Sequence, residues 1–248
     1  MATLTEIVEP IRGIFTVVPP EGEGVCVVCH GAPNPGYRLC YSCQETIAQV
    51  THPVQLVVPI SLSRVGEQLH HVLRSYKNVR VPDLRWKFRA QVAATVGLFL
   101  DNHSPCISAA AGRSWDAVTV VPSSTGREGT HPLITTLRMI KSWDQDLVET
   151  LSKGRVEIGH TRADDEGFDV IAPVAGRSFL LIDDTLTSGA RVQSAATALQ
   201  IAGAQVVGAV VIGRVMNPDF NAVTREAWDR AHRFRFTFDR CCLEKIAS

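Results

Sequence analysis

Phe179-Leu-Leu-Ile-Asp183-Asp184-Thr-Leu-Thr187-Ser188-Gly189-Ala-Arg191 is the stretch on which the fold turns. Its four leading apolar residues read as a buried strand, and the two adjacent carboxylates stand where that strand is expected to end. A Thr/Ser/Gly loop follows, and a helical pattern starts at Ala190. In an open parallel sheet, ligands bind outside the carboxyl ends of the strands. The loop Thr185-Leu186-Thr187-Ser188-Gly189 can turn backbone N–H groups and hydroxyls toward a phosphate, at the positive end of the next helix. Asp183 and Asp184 suit a different target, the vicinal hydroxyls of a ribose. Together the two features fit a ribose 5-phosphate. Arg191, in the first turn of the helix, either reaches that phosphate or points to solvent.

The flanking segments extend the same pattern. Residues 116–121 read as a strand that ends in Pro122-Ser123-Ser124-Thr125-Gly126-Arg127, with a helical pattern over 131–142. Ser123, Ser124 and Arg127 beside a helix N-terminus make a candidate second anion site. Strands are also expected at 54–60, 180–182 and 205–212, and helices at 67–75, 85–100 and 191–202. Strands alternating with helices indicate an α/β fold, a Rossmann-like open parallel sheet with right-handed crossovers. Beyond it, Asn217-Pro218 is a candidate helix start. Phe234, Phe236 and Phe238 alternate with polar residues as in a half-buried strand. That tail reads as a sheet edge, ahead of a dimer contact or a basic face for nucleic acid.

In front of the α/β region stand Cys26-Val-Val-Cys29 and Cys40-Tyr-Ser-Cys43. Two such knuckles complete a tetrahedral four-cysteine site, so a small ribbon holding one structural Zn²⁺ is expected. His30 is a spare candidate ligand. A ribbon of this size cannot bury a core, so the metal would supply its folding energy. It is read first as a clip on the main domain, with a nucleic-acid or protein contact as the alternative. Cys106, Cys241 and Cys242 are read as small buried hydrophobes rather than ligands.

The 248 residues divide into a lead-in segment (1–20), the ribbon (21–50), the α/β domain (51–214) and a C-terminal extension packed on it (215–248). Basic and acidic residues balance at 25 each, so no overall field favours nucleic acid or an anionic membrane. Hydrophobic content of 45% is ordinary for a globular protein, and no apolar run is long enough to span a bilayer. Paired Cys-x-x-Cys spacing without a signal-peptide pattern points to a reducing, cytoplasmic setting.

The stretch ending at Arg191 resembles the motif of the type I phosphoribosyltransferases that binds 5-phosphoribosyl 1-pyrophosphate (PRPP). That motif runs four hydrophobics, two acids, then Thr-x-Thr/Ser-Gly; Arg191 replaces a commoner small Thr or Ser. Zinc knuckles before such a domain resemble the ComF family, competence-associated phosphoribosyltransferase-like proteins, over residues 24–214. The resemblance implies that Asp183 and Asp184 face the ribose 2′- and 3′-hydroxyls. It implies that Thr185 to Gly189 wrap the 5-phosphate, with Thr187 and Ser188 donating their hydroxyls. Ser123, Ser124 and Arg127 would hold the pyrophosphate, with Mg²⁺ bound chiefly through ligand oxygens and water. Arg74-Ser-Tyr76-Lys77 stands where the family ends a basic helix, which makes Lys77 either a phosphate contact or a solvated helix end. The family's Arg-Gly-Phe-Asn-Gln-type segment is replaced here by residues 127–132, and the tail is extra. The activity implied is phosphoribosyl transfer to a nitrogen nucleophile with release of pyrophosphate. The alternatives are a PRPP- or nucleotide-sensing, nucleic-acid-associated accessory protein, and a structural zinc protein. A homodimer remains open.

Overall fold

The computed structural model describes residues 2–123, 130–141 and 146–244. In chain order the elements are α1 (Leu4–Val8), α2 (Tyr41–Ala48), β1 (Val57–Ser63), α3 (Gln68–Asn78), α4 (Pro82–Ala111), β2 (Ala117–Val120) and α5 (Pro132–Leu137). They continue with β3 (Leu151–Lys153), β4 (Phe168–Val170), β5 (Ser178–Leu186), α6 (Ala190–Ile201), β6 (Gln205–Val215) and α7 (Ala222–Ala231). A four-stranded, wholly parallel sheet has the order β1-β6-β5-β2, and β3 pairs with β4 as a separate antiparallel ribbon. The α/β parallel fold expected from the sequence is the fold observed.

Parallel sheets are stable when both faces are covered, and the strand residues divide by parity to do this. Val58, Ile60, Leu62, Leu180, Ile182, Val210 and Ile212 join one core with residues of α3, α4 and α5. Val57, Phe179, Leu181, Ala209 and Val211 join the other, with Val192, Ala195 and Leu199 of α6 and the four ribbon cysteines. The neighbouring strands β2 and β5 therefore send their chains to opposite faces, β2 into α5 and β5 into α6. Such a divergence opens a crevice at the carboxyl ends.

The first residues belong to this packing as well. Val8, Phe15 and Val18 are buried in the core beneath α4, and Thr16 bridges to Leu62 while its N–H donates to Ser61 Oγ at 2.8 Å. Helix α4 runs far beyond the expected 85–100. It passes through Pro105, and the Ser104 hydroxyl donates to the Leu100 carbonyl at 2.6 Å within that turn. Among the described residues no helix is long and apolar enough to cross a membrane.

Three local expectations need correction. Strand β5 does not stop at the carboxylates but continues to Leu186, paired with β6 alone after β2 has ended. Asn217 does not cap a helix; its side chain accepts the Asp219 N–H at 3.1 Å in a turn. The helix starts later because Asn221 finds a reciprocal partner in Thr224, a capping box that Asn217 lacks with Phe220 three residues on. The Phe234–Phe238 segment is no sheet edge: it forms no strand. Phe236 and Phe238 are buried while Phe234 is exposed, but the alternation arises from packing on Phe15, at ring-centroid distances of 5.0 and 5.5 Å.

Candidate functional site

Asp183 and Asp184 are consecutive residues of an extended strand, so their side chains leave opposite faces of the sheet. Each meets a cation from the helix on its own face. Arg191, in the first turn of α6, donates through Nη2 to Asp183 Oδ2 at 3.1 Å and to the Thr185 carbonyl at 3.2 Å. Asp184 Oδ2 accepts from the Tyr76 hydroxyl and pairs with the Lys77 ammonium, both from α3. Arg191 thus points inward to a carboxylate. Lys77 is not a solvated helix end but a wall of the site.

The two carboxyls are buried and electrostatically unequal. Burial, opposed by Arg191 and aided by the Asp184 charge, pushes Asp183 up to about 6. Burial acts on Asp184 too, but Lys77 and then Arg191 outweigh it and hold that carboxyl below its usual value. Tyr76 is driven well above the usual phenol value by burial and by Asp184, so it stays a hydrogen-bond donor. One acceptor, Asp184 Oδ1, is buried without a hydrogen-bond partner among the described residues. A carboxylate with an unused lone-pair oxygen at a strand's carboxyl end is placed to receive a ligand hydroxyl.

Lys77, Gly159, His160 and residues 183–192 line a cavity of about 390 Å³ above this edge. Thr185, Leu186, Thr187, Ser188 and Gly189 form its rim. Thr187 is exposed, whereas Ser188 is buried and donates its hydroxyl to the His160 carbonyl. Gly189 has a φ of 91°, a left-handed conformation that turns the loop into α6. Ser123 lies just beyond β2, the strand next to β5, while Ser124 and Arg127 fall outside the described residues.

Cys26, Cys29, Cys40 and Cys43 are buried, with their sulfurs within 4.8 Å of one another and Cys29 Sγ 3.6 Å from Cys40 Sγ. Four thiolates around Zn²⁺ at about 2.3 Å lie about 3.8 Å apart, so the cluster has the size and donor chemistry for that ion. Cys40 precedes α2 and Cys43 sits in its first turn, so the start of this helix places half of the sulfur set. His30 does not join the four-sulfur cluster, and its Nδ1 bonds the Pro19 carbonyl at 2.9 Å.

Arg214, near the end of β6, joins the two regions. Its Nη1 donates to the carbonyls of Thr187 at 2.8 Å and Leu186 at 3.4 Å, and the charge of the same guanidinium is favoured by the nearby Cys29. Burial disfavours its charge, but the cysteine thiolates, Cys29 first, reverse that. A Cβ on Gly31 would lie 2.8 Å from Nη2, so only glycine lets the guanidinium pass. Sequence reasoning quoted Tyr76 without giving it a role and missed Arg214 and the Ile158–His160 wall. Arg214 had a signal, a lone cation inside an otherwise apolar strand; the wall segment had none.

The sequence matches no protein-family model and no curated protein sequence. Among solved structures it is similar to a phosphoribosyltransferase from Corynebacterium diphtheriae, at 18% identity over 59% of this chain and 90% of that one, TM-score 0.35. It is also similar to orotate phosphoribosyltransferase of Mycobacterium tuberculosis H37Rv. The complex with Fe(III) dicitrate matches at 14% identity over 94% of this chain and 92% of that one, TM-score 0.36. The complex with inorganic phosphate matches at 13% identity over 86% and 93%, TM-score 0.34. At these scores the likeness carries no residue roles; those rest on the geometry of the site.

Proposed function

We propose that the protein is phosphoribosyltransferase-like, of the ComF type, and binds PRPP at the carboxyl ends of β5 and β2. The observation that carries this reading is the buried carboxylate pair at the cavity floor with Asp184 Oδ1 unpartnered. In this reading Asp183 and Asp184 accept the ribose 2′- and 3′-hydroxyls, and residues 185–189 surround the 5-phosphate with the dipole of α6 behind it. Lys77 spends one of three N–H donors on Asp184 and offers the others to the anion. Ser123, Ser124 and Arg127 take the pyrophosphate. Zn²⁺ is assigned to the four cysteines as a structural ion.

Mg²⁺ is assigned to the ligand, since both carboxylates of the site already face cations and leave no carboxylate cage. When bound it would neutralise pyrophosphate charge. The proposed reaction breaks the bond between ribose C1 and the pyrophosphate oxygen, which leaves with the bonding pair. A nitrogen lone pair forms the new bond to C1, and the nitrogen then loses its proton to solvent. The positive charge at C1 in the transition state makes positioning and electrostatics the protein's main contribution.

A second reading, binding without transfer, is favoured by the Ser188–His160 and Asp183–Arg191 bonds, which already engage two of the assigned ligand groups. Calorimetry of PRPP with and without Mg²⁺, on wild type and on Asp183→Asn/Asp184→Asn, tests both. Mg²⁺-dependent binding lost in the variant supports the site, and pyrophosphate release with a nucleobase or amine then selects transfer. A folded wild type that does not bind PRPP overturns both readings.

A further inference from the structure

A second cluster of ligand-type side chains lies away from the cavity, where the C-terminal tail crosses α4. His103 and Cys106 are one turn apart on α4; Cys241 and Glu244 bracket a tail turn closed by the Glu244 N–H on the Cys241 carbonyl at 3.2 Å. His103 Nδ1, the two sulfurs and a Glu244 oxygen all lie within 4.8 Å of one another. Nδ1 is 3.5 Å from Glu244 Oε1 and 3.8 Å from Cys106 Sγ.

The imidazole is already oriented for a ligand's role. Its Nε2 bonds the Phe238 carbonyl at 2.8 Å, and a carbonyl only accepts, so Nε2 carries the hydrogen. In the neutral ring the Nδ1 lone pair therefore faces the carboxylate and the sulfurs. A metal-bound histidine is held in this manner, with the remote nitrogen fixed by a backbone acceptor. Two lone-pair groups facing each other need a cation between them. A proton would satisfy the His103–Glu244 pair, but it gives no reason for two sulfurs at the same point. Cys242, the neighbouring cysteine, is buried in the apolar core instead.

We propose that His103, Cys106, Cys241 and Glu244 form a second metal site, which takes a thiophilic divalent cation of the Zn²⁺ class. Two thiolates, an imidazole and a carboxylate suit Zn²⁺ and are poor donors for Mg²⁺ or Ca²⁺. Four donors complete a tetrahedral shell, so the role is structural. The ion would pin the tail, with Phe236 and Phe238 seated on Phe15, against the middle of the domain. Both clusters use donors three residues apart, but the second draws its two pairs from remote parts of the chain.

The test is zinc counting on the whole chain under reducing conditions, after saturation and removal of free metal. Wild type should retain a second equivalent that Cys106→Ser/Cys241→Ser lacks, at unchanged circular dichroism. Cobalt added to wild type should show a thiolate charge-transfer band that this variant loses in part. Glu244→Gln, on the partly exposed ligand, should weaken the second equivalent at least as much as loss of an outer-shell partner does, roughly 10–100-fold. A single equivalent in wild type, a second equivalent unaffected by both variants, or a Cys106–Cys241 disulfide in the protein isolated with thiols blocked would overturn the proposal.

Discussion

The four-cysteine cluster and the carboxylate pair manage buried charge in opposite ways. The cysteines come from one short stretch, are closed off from solvent, and hold their four sulfurs within 4.8 Å of one another, where one ion could satisfy all of them. The carboxylates borrow Tyr76 and Lys77 from one face of the sheet and Arg191 from the other, and still leave an oxygen unpartnered and one carboxyl pushed up to about 6. A cluster that one buried ion would satisfy serves stability. One held in tension by remote groups is arranged for a ligand, because perturbed acids in a cleft mark functional sites more often than structural ones.

The sharpest way to break the contrast is to withhold the Zn²⁺ proposed for the cysteines. Structural zinc in small peptides contributes on the order of 10 kcal/mol of folding free energy at neutral pH. A strong chelator, or Cys40→Ser/Cys43→Ser, should therefore unfold residues 21–50 and open the α6-side core, seen as a large fall in Tm and rapid proteolysis of that segment. An unchanged melting curve would mean that the ribbon stands without its ion.

Next in size is the link itself. Arg214→Met removes a buried cation from the thiolates and strands two loop carbonyls, a class of change that costs about 3–5 kcal/mol. Because the same guanidinium holds Leu186 and Thr187, PRPP affinity should fall with stability, and zinc affinity should fall too. Loss of stability with PRPP binding intact would show that the cluster and the loop are not joined through this residue.

Reading the two regions from sequence succeeded unequally, for the same physical reason. Cys26, Cys29, Cys40 and Cys43 announce themselves because their spacing is local and metal geometry demands it. Asp183, Asp184 and Gly189 are legible because a strand–loop–helix junction is also local. What satisfies them is not. Tyr76, Lys77 and Arg191 reach the carboxylates only once the sheet has sorted alternate side chains to opposite faces, and His160 arrives on a connection with no pattern of its own. The tail misled in the same way: alternating phenylalanines resemble a strand, yet their partner is Phe15, at the far end of the chain.

Asp183→Asn sharpens the comparison with a change of opposite sign. Asp183 has a folded-state value of about 6 against an ordinary value of 3.8. Between those limits the folded protein binds more protons than the unfolded chain, so this residue lowers stability as pH rises from about 4 to 6. Asparagine mimics the protonated acid and should remove that slope. Its gain at pH 7.5 should be up to about 3 kcal/mol, at about 1.4 kcal/mol per pK unit, and should vanish near pH 4. Thermal unfolding across pH would measure it, and PRPP binding should weaken in the same variant. A variant destabilised at every pH would mean that the Arg191 pair, not burial, dominates.

The smallest stability effect is expected at Gly189, where the loop turns into α6. Its φ of 91° is one that an L side chain rarely adopts, and alanine there should cost roughly 1–2 kcal/mol in strain. Space is not the obstacle, since the nearest atom to a new Cβ is Thr46 Oγ1 at 3.7 Å, an ordinary contact. The fold can absorb that strain by flattening the turn before α6. Flattening would rotate the N–H groups of residues 187–189 away from the cavity, so Gly189→Ala should lose PRPP affinity well beyond its loss of stability. Gly36, with φ 83° in the ribbon and nothing within 4 Å of a new Cβ, is the control: alanine there should carry the same strain and leave PRPP binding untouched. Equal effects of the two substitutions on binding would remove the loop from the site.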